Sequence, residues 1–369
     1  MPQPRHLERD RGVLVLVGTT KGAFLCASDD GRTDWEVAGP YFAGQEVYAL
    51  ALDTRGGRRR ILAGTHSAHW GPTVSISDDL GRSFSHPERA PIRFPDGSGL
   101  SLKQVWQIVP SGDGDEVYAG VEPAALFLSR DAGQTWSLNE GLFTHPHRTE
   151  WQPGGGGLCM HTVLPRGDKL YVAISTGGVY RSDDGGQSWR PRNVGIRAPF
   201  LPEGHQYPEF GQCVHKVAAD AADPTRLYLQ HHWGVYRSDD AGDSWQNIGA
   251  GLPSDFGFAC VAHPRDAGTA FVLPIEADMF RAVPDARLRV YRTRDAGASW
   301  QALADGLPQE GAYECVLRDG MAADRLAPAG LYFGTRSGKL YASNDEGDSW
   351  RQLHAGLPPI VCVKTGVLA

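Results

Sequence analysis

This 369-residue sequence predicts an all-β protein, a seven-bladed β-propeller of four-stranded antiparallel blades. Three observations predict it. An octapeptide recurs as SDDLGRSF (77–84), SRDAGQTW (129–136), SDDGGQSW (182–189), SDDAGDSW (238–245), TRDAGASW (293–300) and SNDEGDSW (343–350), and SDDGRTDW (28–35) is a seventh copy with its glycine displaced. Start-to-start spacings of 49, 52, 53, 56, 55 and 50 residues suit one four-stranded sheet per repeat and are too long for a helical hairpin. The 46 glycines, 25 prolines, 10 tryptophans and 12 tyrosines favour short strands and tight turns over long helices.

The elements follow in order. Residues 1–11 form a charged, proline-bearing tail, and residues 12–369 a single propeller. Blade 1 takes 12–39 plus 360–369, because only VLVLVGT and AFLCAS precede the first octapeptide and IVCVKTG remains after the last blade. That C-terminal segment is the missing innermost strand, and its pairing into the N-terminal blade closes the ring and removes exposed sheet edges. Blades 2 to 7 occupy 45–88, 102–139, 158–192, 212–248, 258–303 and 313–355. Within blade 5, CVHKVAA, RLYLQHH, GVYRSD and SWQNIG are the four strands. The octapeptide closes the last hairpin: Asp and Ser side chains bond nearby amides, Gly supplies a positive φ, and the terminal aromatic packs between sheets.

The octapeptide resembles the Asp-box, or BNR, repeat of sialidases and related β-propellers (the WD40/YVTN/BNR-like repeat proteins), over essentially the whole chain. In that family the box lies on the face opposite the active site, so Asp79, Asp131, Asp184, Asp240, Asp295 and Asp345 are expected to be structural. Sialidases also carry an Arg-Ile-Pro motif, an arginine triad that clamps the sugar carboxylate, and a Tyr nucleophile. This chain has only IRFP (92–95), and the alignment yields Arg336 as one clear mouth arginine, so the sequence argues against an exo-sialidase. The Asp-box xyloglucan-cleaving enzymes work between two propellers with paired aspartates, a cleft one propeller does not supply. The resemblance extends to photosystem II assembly factors, which bind partners.

If the innermost strands start at the face opposite the boxes, their first residues ring the channel mouth: Tyr48, Trp106, His161, His215, Ala259, Glu314 and Val361. The second strands end beside them at His66, Glu122, Ser175, His232, Ile275 with Glu276, Arg336, and Thr20 with Lys21. Long loops at 137–157, 190–211 and 273–288 lead to the same face. His66, Glu122, His161 and His215 come from consecutive blades, and imidazoles with a carboxylate suit zinc, manganese or iron with one position open. That set is the candidate metal site. Polar rings that merely hydrogen-bond channel water are the competing reading.

The expected function is accordingly a glycoside hydrolase-like or lyase-like enzyme. Glu122, Glu276 or Glu314 would serve as general base, and Arg336 or Lys21 would hold an anion. Trp70, Trp106, Trp151, His232 and Trp233 are the further candidates for binding a small-molecule or carbohydrate ligand. The alternative is a non-catalytic scaffold for a protein partner. A divalent metal is the candidate cofactor and no organic cofactor is expected. The formal charge of −7 and pI near 6.0 argue against nucleic-acid binding. VLVLV (13–17) is too short for a signal core or membrane span, which predicts a cytoplasmic protein without membrane association. Six cysteines without C-x-x-C spacing read as reduced, buried residues.

Overall fold

The computed structural model describes residues 4–112 and 114–368. Seven antiparallel sheets form the blades of a seven-bladed propeller. Blade 1 is ordered Ile360–Leu368, Gly12–Thr19, Gly22–Ser28, Glu36–Tyr41, so the C-terminal strand does close the ring. Its register runs from Gly12 opposite Leu368 to Thr19 opposite Ile360. The tail is not free: Leu7 is buried, Arg5 bridges to Gly39, and the Glu8 amide bonds Glu36.

Blade 2 departs from the four-stranded rule. It holds Glu46–Asp53, Arg60–Ser67 and Gly71–Ser77, and its fourth strand shrinks to one bond from the Ser85 amide to the Ile76 carbonyl at 2.7 Å. The cause is local, since Pro87, Pro91 and Pro95 follow the box and cannot donate to a ladder. That segment instead buries Ile92 and Phe94 against the seam with blade 3.

The six regular boxes share one geometry. In blade 4 the Ser182 hydroxyl donates to Asp184 Oδ1 (2.7 Å) and accepts the Gly186 amide (2.8 Å). Asp184 then accepts the Ser188 amide (2.9 Å) and hydroxyl (2.5 Å). Equivalent bonds form around Asp79, Asp131, Asp240, Asp295 and Asp345. The turn needs two successive left-handed residues, such as Ala241 (φ 59°) and Gly242 (φ 87°). Arginines of the third strands lock this face by reaching the next box: Arg181 to the Ala241 carbonyl (2.7 Å), Arg237 to Ala296 (2.6 Å) and Arg292 to Glu346 (2.9 Å). Box tryptophans reach the other way, Trp245 to the Arg192 carbonyl and Trp300 to that of Ile248.

At the opposite end six innermost strands carry a β-bulge. The extra residues are Val361, Tyr48, Trp106, His161, His215 and Phe258. A bulge re-aims a side chain without consuming a ladder pair. Five of these residues were expected from alignment; in blade 6 the position belongs to Phe258, one residue before Ala259. Blade 7 is corrected further. Its innermost strand is Met321–Ala323, not a strand begun at Glu314, and Asp319 stands where blade 5 has His215. Residues 314–320 form a detour over the channel mouth instead.

Candidate functional site: an arginine-lined mouth

A pocket of about 280 Å³ opens at the end of the channel away from the boxes. Its lining includes Tyr48, Trp106, Arg281, Arg318, Asp319 and Arg336. Arg318 comes from the blade 7 detour and lies 5.9 Å from the Trp106 ring and 5.0 Å from that of Phe258. Arg281, from the loop between the second and third strands of blade 6, lies 5.3 Å over the same Phe258. Among the described residues none of these three guanidinium groups has a carboxylate within ion-pairing distance. Arg318 Nε and Arg336 Nη1 are buried without a hydrogen-bond partner. Arg281 and Arg318 thus join Arg336 in the lining of this pocket. The alignment saw only Arg336 because the other two ride on loops outside the repeat.

The pocket floor is ionic. Asp319 of blade 7 accepts Lys216 Nζ of blade 5 at 2.7 Å and also binds Lys364 of the closing strand. Burial alone would raise the Asp319 pKa, but the two ammonium groups pull it far below the carboxylate range. The lining residues include three arginines and one carboxylate, Asp319, which is itself paired with two lysines, so the lining is cationic in a chain whose formal charge is −7.

The proposed metal ligands do not converge. Among the described residues the groups whose donor atoms gather are Cys213–His215–His232 and His263–Asp266–Glu346. His161 is fully buried in the seam, its Nε2 donating to the Val214 carbonyl at 2.8 Å and its Nδ1 beside the Thr162 hydroxyl at 3.1 Å. His215 donates from Nδ1 to the Gly257 carbonyl of blade 6 at 2.6 Å. His66 pairs with Gln104 of blade 3 at 3.1 Å. These histidines join adjacent blades; the bulges set His161 and His215 near the mouth, but their rings reach carbonyls across the seams. Burial first, then the Arg318 charge, holds His161 and His215 well below the ordinary histidine pKa, so both are neutral.

The other candidates divide similarly. Glu122 accepts from the Trp106 indole at 3.2 Å and so touches the pocket wall. Glu314 is buried and spent on Lys339 (2.7 Å) and Ser337 (2.6 Å), bonds that outweigh burial and lower its pKa. Glu276 is exposed on its loop, as is Lys21 on its turn. Trp70 is 90 % exposed, and Trp151 is buried against the Tyr180 hydroxyl. Trp233 stacks on Phe200 at 4.9 Å. His232 stands beside Cys213 at 3.6 Å. Five cysteines are buried and Cys213 is half-buried, all unpaired.

Among the described residues no helix is long and apolar enough to cross a membrane. The BNR/Asp-box repeat family model matches residues 180–191, the box of blade 4. The chain is 25 % identical over 224 residues to the oligoxyloglucan-reducing end-specific xyloglucanase of Emericella nidulans, covering 52 % of this chain and 26 % of that protein. Over 293 residues it is 25 % identical to a xyloglucanase of Hypocrea jecorina, covering 77 % and 28 %. It therefore spans about a quarter of the length of these curated relatives. Among solved structures, an ancestral GH74 enzyme superposes with a TM-score of 0.56 at 15 % identity, over 84 % of this chain and 38 % of that one. YCF48 bound to D1 peptide superposes at 0.53 and 13 % identity, over 95 % and 88 %. Boxes, blade order and ring closure lead to one conclusion: the chain is a seven-bladed β-propeller that carries the BNR/Asp-box repeat.

Proposed function

We propose that the mouth pocket binds an acidic sugar and that the chain is a glycoside hydrolase acting there. The observation that carries this reading is the convergence of Arg281, Arg318 and Arg336, unpaired with any carboxylate among the described residues, beside Tyr48 and Trp106. Guanidinium groups recognise carboxylates with paired donors, and aromatic faces suit sugar rings. The xyloglucanase relatives support the hydrolase class, while the cationic lining directs the choice toward a charged sugar. Glu122 is the candidate acid or base, since it is the sequence-derived glutamate that touches a pocket residue.

The test is calorimetric titration with glucuronate, galacturonate and N-acetylneuraminate, against glucose and xylose as neutral controls. At least one acid should bind, and Arg318→Gln should weaken it by about 10- to 100-fold, the loss expected for a hydrogen bond to a charged group. Turnover of the matching aryl glycoside should fall in Glu122→Gln while affinity stays. Equal, negligible binding of acids and neutral sugars would overturn the proposal.

A second reading rests on a separate observation. Trp70, Phe200, Tyr207, Met279, Phe280 and Tyr313 are exposed on loops of the mouth face. Exposed aromatic groups around a charged pocket also suit a peptide whose C-terminal carboxylate enters it. YCF48, with a bound peptide, is a neighbour of similar span. Binding of carboxylate-terminated but not amidated peptides would favour this reading.

A further inference from the structure

Blades 4 and 5 offer an internal comparison. Each innermost strand is entered by Cys-x-His: Cys159 and His161 in blade 4, Cys213 and His215 in blade 5. The next strand ends differently, at Ser175 in blade 4 and at His232 in blade 5. In blade 4 the histidine has both ring nitrogens occupied, by the Val214 carbonyl and Thr162. In blade 5 the ring presents Nδ1 to the equivalent carbonyl, of Gly257, which leaves Nε2 facing Cys213 Sγ at 3.6 Å. His232 Nδ1 faces the same sulfur at 3.6 Å.

We propose that Cys213, His215 and His232 form a binding site for a borderline-soft divalent cation of the zinc class, with the fourth position open. The geometry fits. A tetrahedral zinc with bonds of about 2.3 Å to sulfur and about 2.05 Å to nitrogen separates S from N by about 3.6 Å. The three donor atoms all lie within 4.8 Å of one another. The outer contacts fit as well. His215 Nδ1 gives its hydrogen to Gly257, and His232 Nε2 lies 3.5 Å from Asp278 Oδ2, so each imidazole directs a lone pair at the shared point. A carbonyl or carboxylate behind each ligating histidine is the usual support of such a centre. Phe256 and Phe258 pack on the two rings at 4.6 to 5.4 Å and shield one side.

Binding converts the thiol to a metal thiolate and releases one proton; both histidines enter neutral. Arg281 and Arg318 oppose an incoming dication, while the thiolate and Asp278 return two negative charges. This site is separate from the arginine pocket in its donors and does not depend on the sugar reading.

The test uses the full chain with any affinity tag removed and metal stripped by chelator. One equivalent of cobalt(II) should produce the near-ultraviolet thiolate charge-transfer band and strong visible bands of a tetrahedral site, and one equivalent of zinc should bleach them. Cys213→Ser should abolish the charge-transfer band. His232→Ser, which converts blade 5 to the blade 4 arrangement, should weaken cobalt at least about tenfold, and Asp278→Asn by about 10- to 100-fold. Cys159→Ser should leave the spectrum intact, and so should Arg318→Gln, the variant expected to weaken acidic-sugar binding. A folded wild type with no such bands, bands that survive Cys213→Ser, or equal loss in Cys159→Ser would overturn the assignment and leave a hydrogen-bonded thiol.

Discussion

His161 donates its Nε2 hydrogen to the Val214 carbonyl oxygen at 2.8 Å, and this bond crosses the seam between the innermost strands of blades 4 and 5. Both groups are inaccessible to water. His161→Leu should destabilise the chain by about 1–3 kcal/mol, the cost of leaving a buried carbonyl unsatisfied. Equilibrium urea unfolding measures it; a loss under about 0.5 kcal/mol, the range of neutral surface changes, would show that the seam does not use the bond.

Acid should act in two stages. His161 and His215 titrate far below their unfolded value and His231 at about 3, chiefly through burial. The unfolded chain therefore takes up protons first, and stability should fall as pH drops below about 6.5. The box carboxylates are lowered, with Asp184 and Asp295 at about 2, Ser188 and Ser299 hydroxyl bonds being the leading cause. Their contribution is present above about 4 and is lost as pH falls toward about 2. Urea midpoints from pH 8 to 2.5 test this; a midpoint constant between pH 7 and 5 contradicts the first stage.

Asp319→Ala leaves Lys216 and Lys364 facing each other at the channel floor without a counter-charge. Removing one partner of a buried ion pair costs about 3–5 kcal/mol. The double variant with Lys364→Met should recover part of that loss. Additive losses in a double-mutant cycle would mean that the charges are solvated rather than coupled.

Deleting residues 358–369 removes the strand paired along all of Gly12–Thr19. The truncated chain should aggregate or lose cooperative melting, because blade 1 then presents an unpaired edge. Unaltered melting and solubility would count against closure by this strand.

Asp240→Ala removes the acceptor for the Ser244 amide and hydroxyl and the partner of Ser238. The expected loss is about 1–2 kcal/mol. Acidic-sugar affinity should be unchanged, since the box lies at the far end of the channel; a weakened affinity at normal stability would place function on the box face.

Blade count, box turns and ring closure were legible because each rests on local chemistry repeated in register. Ser182, Asp184 and Gly186 define their turn whatever surrounds them, and IVCVKTG could only be a strand lacking a blade. The mouth was legible in position but not in orientation. Alignment located His161 and His215, yet whether a ring meets the channel or the seam depends on the bulge and on a carbonyl of the next blade. Blade 7 misled because YECVL and GMAA are both apolar runs, and the chain uses the second as its strand. Arg281 and Arg318 lie on segments with no counterpart in other blades, so no repeat pattern could bring them together.

The bulges carry a consequence for how such a protein diversifies. A residue paired in a ladder answers to its partner strand, whereas the extra residue of a bulge answers to neither. Tyr, Trp, His, His, Phe and Val occupy these six places on one unchanged framework. Apart from His161 and His215, which bond carbonyls of the next blade, each is a socket into which a new side chain can be fitted with little disturbance to the sheet behind it. Ligand preference can drift one blade at a time while the ring stays closed.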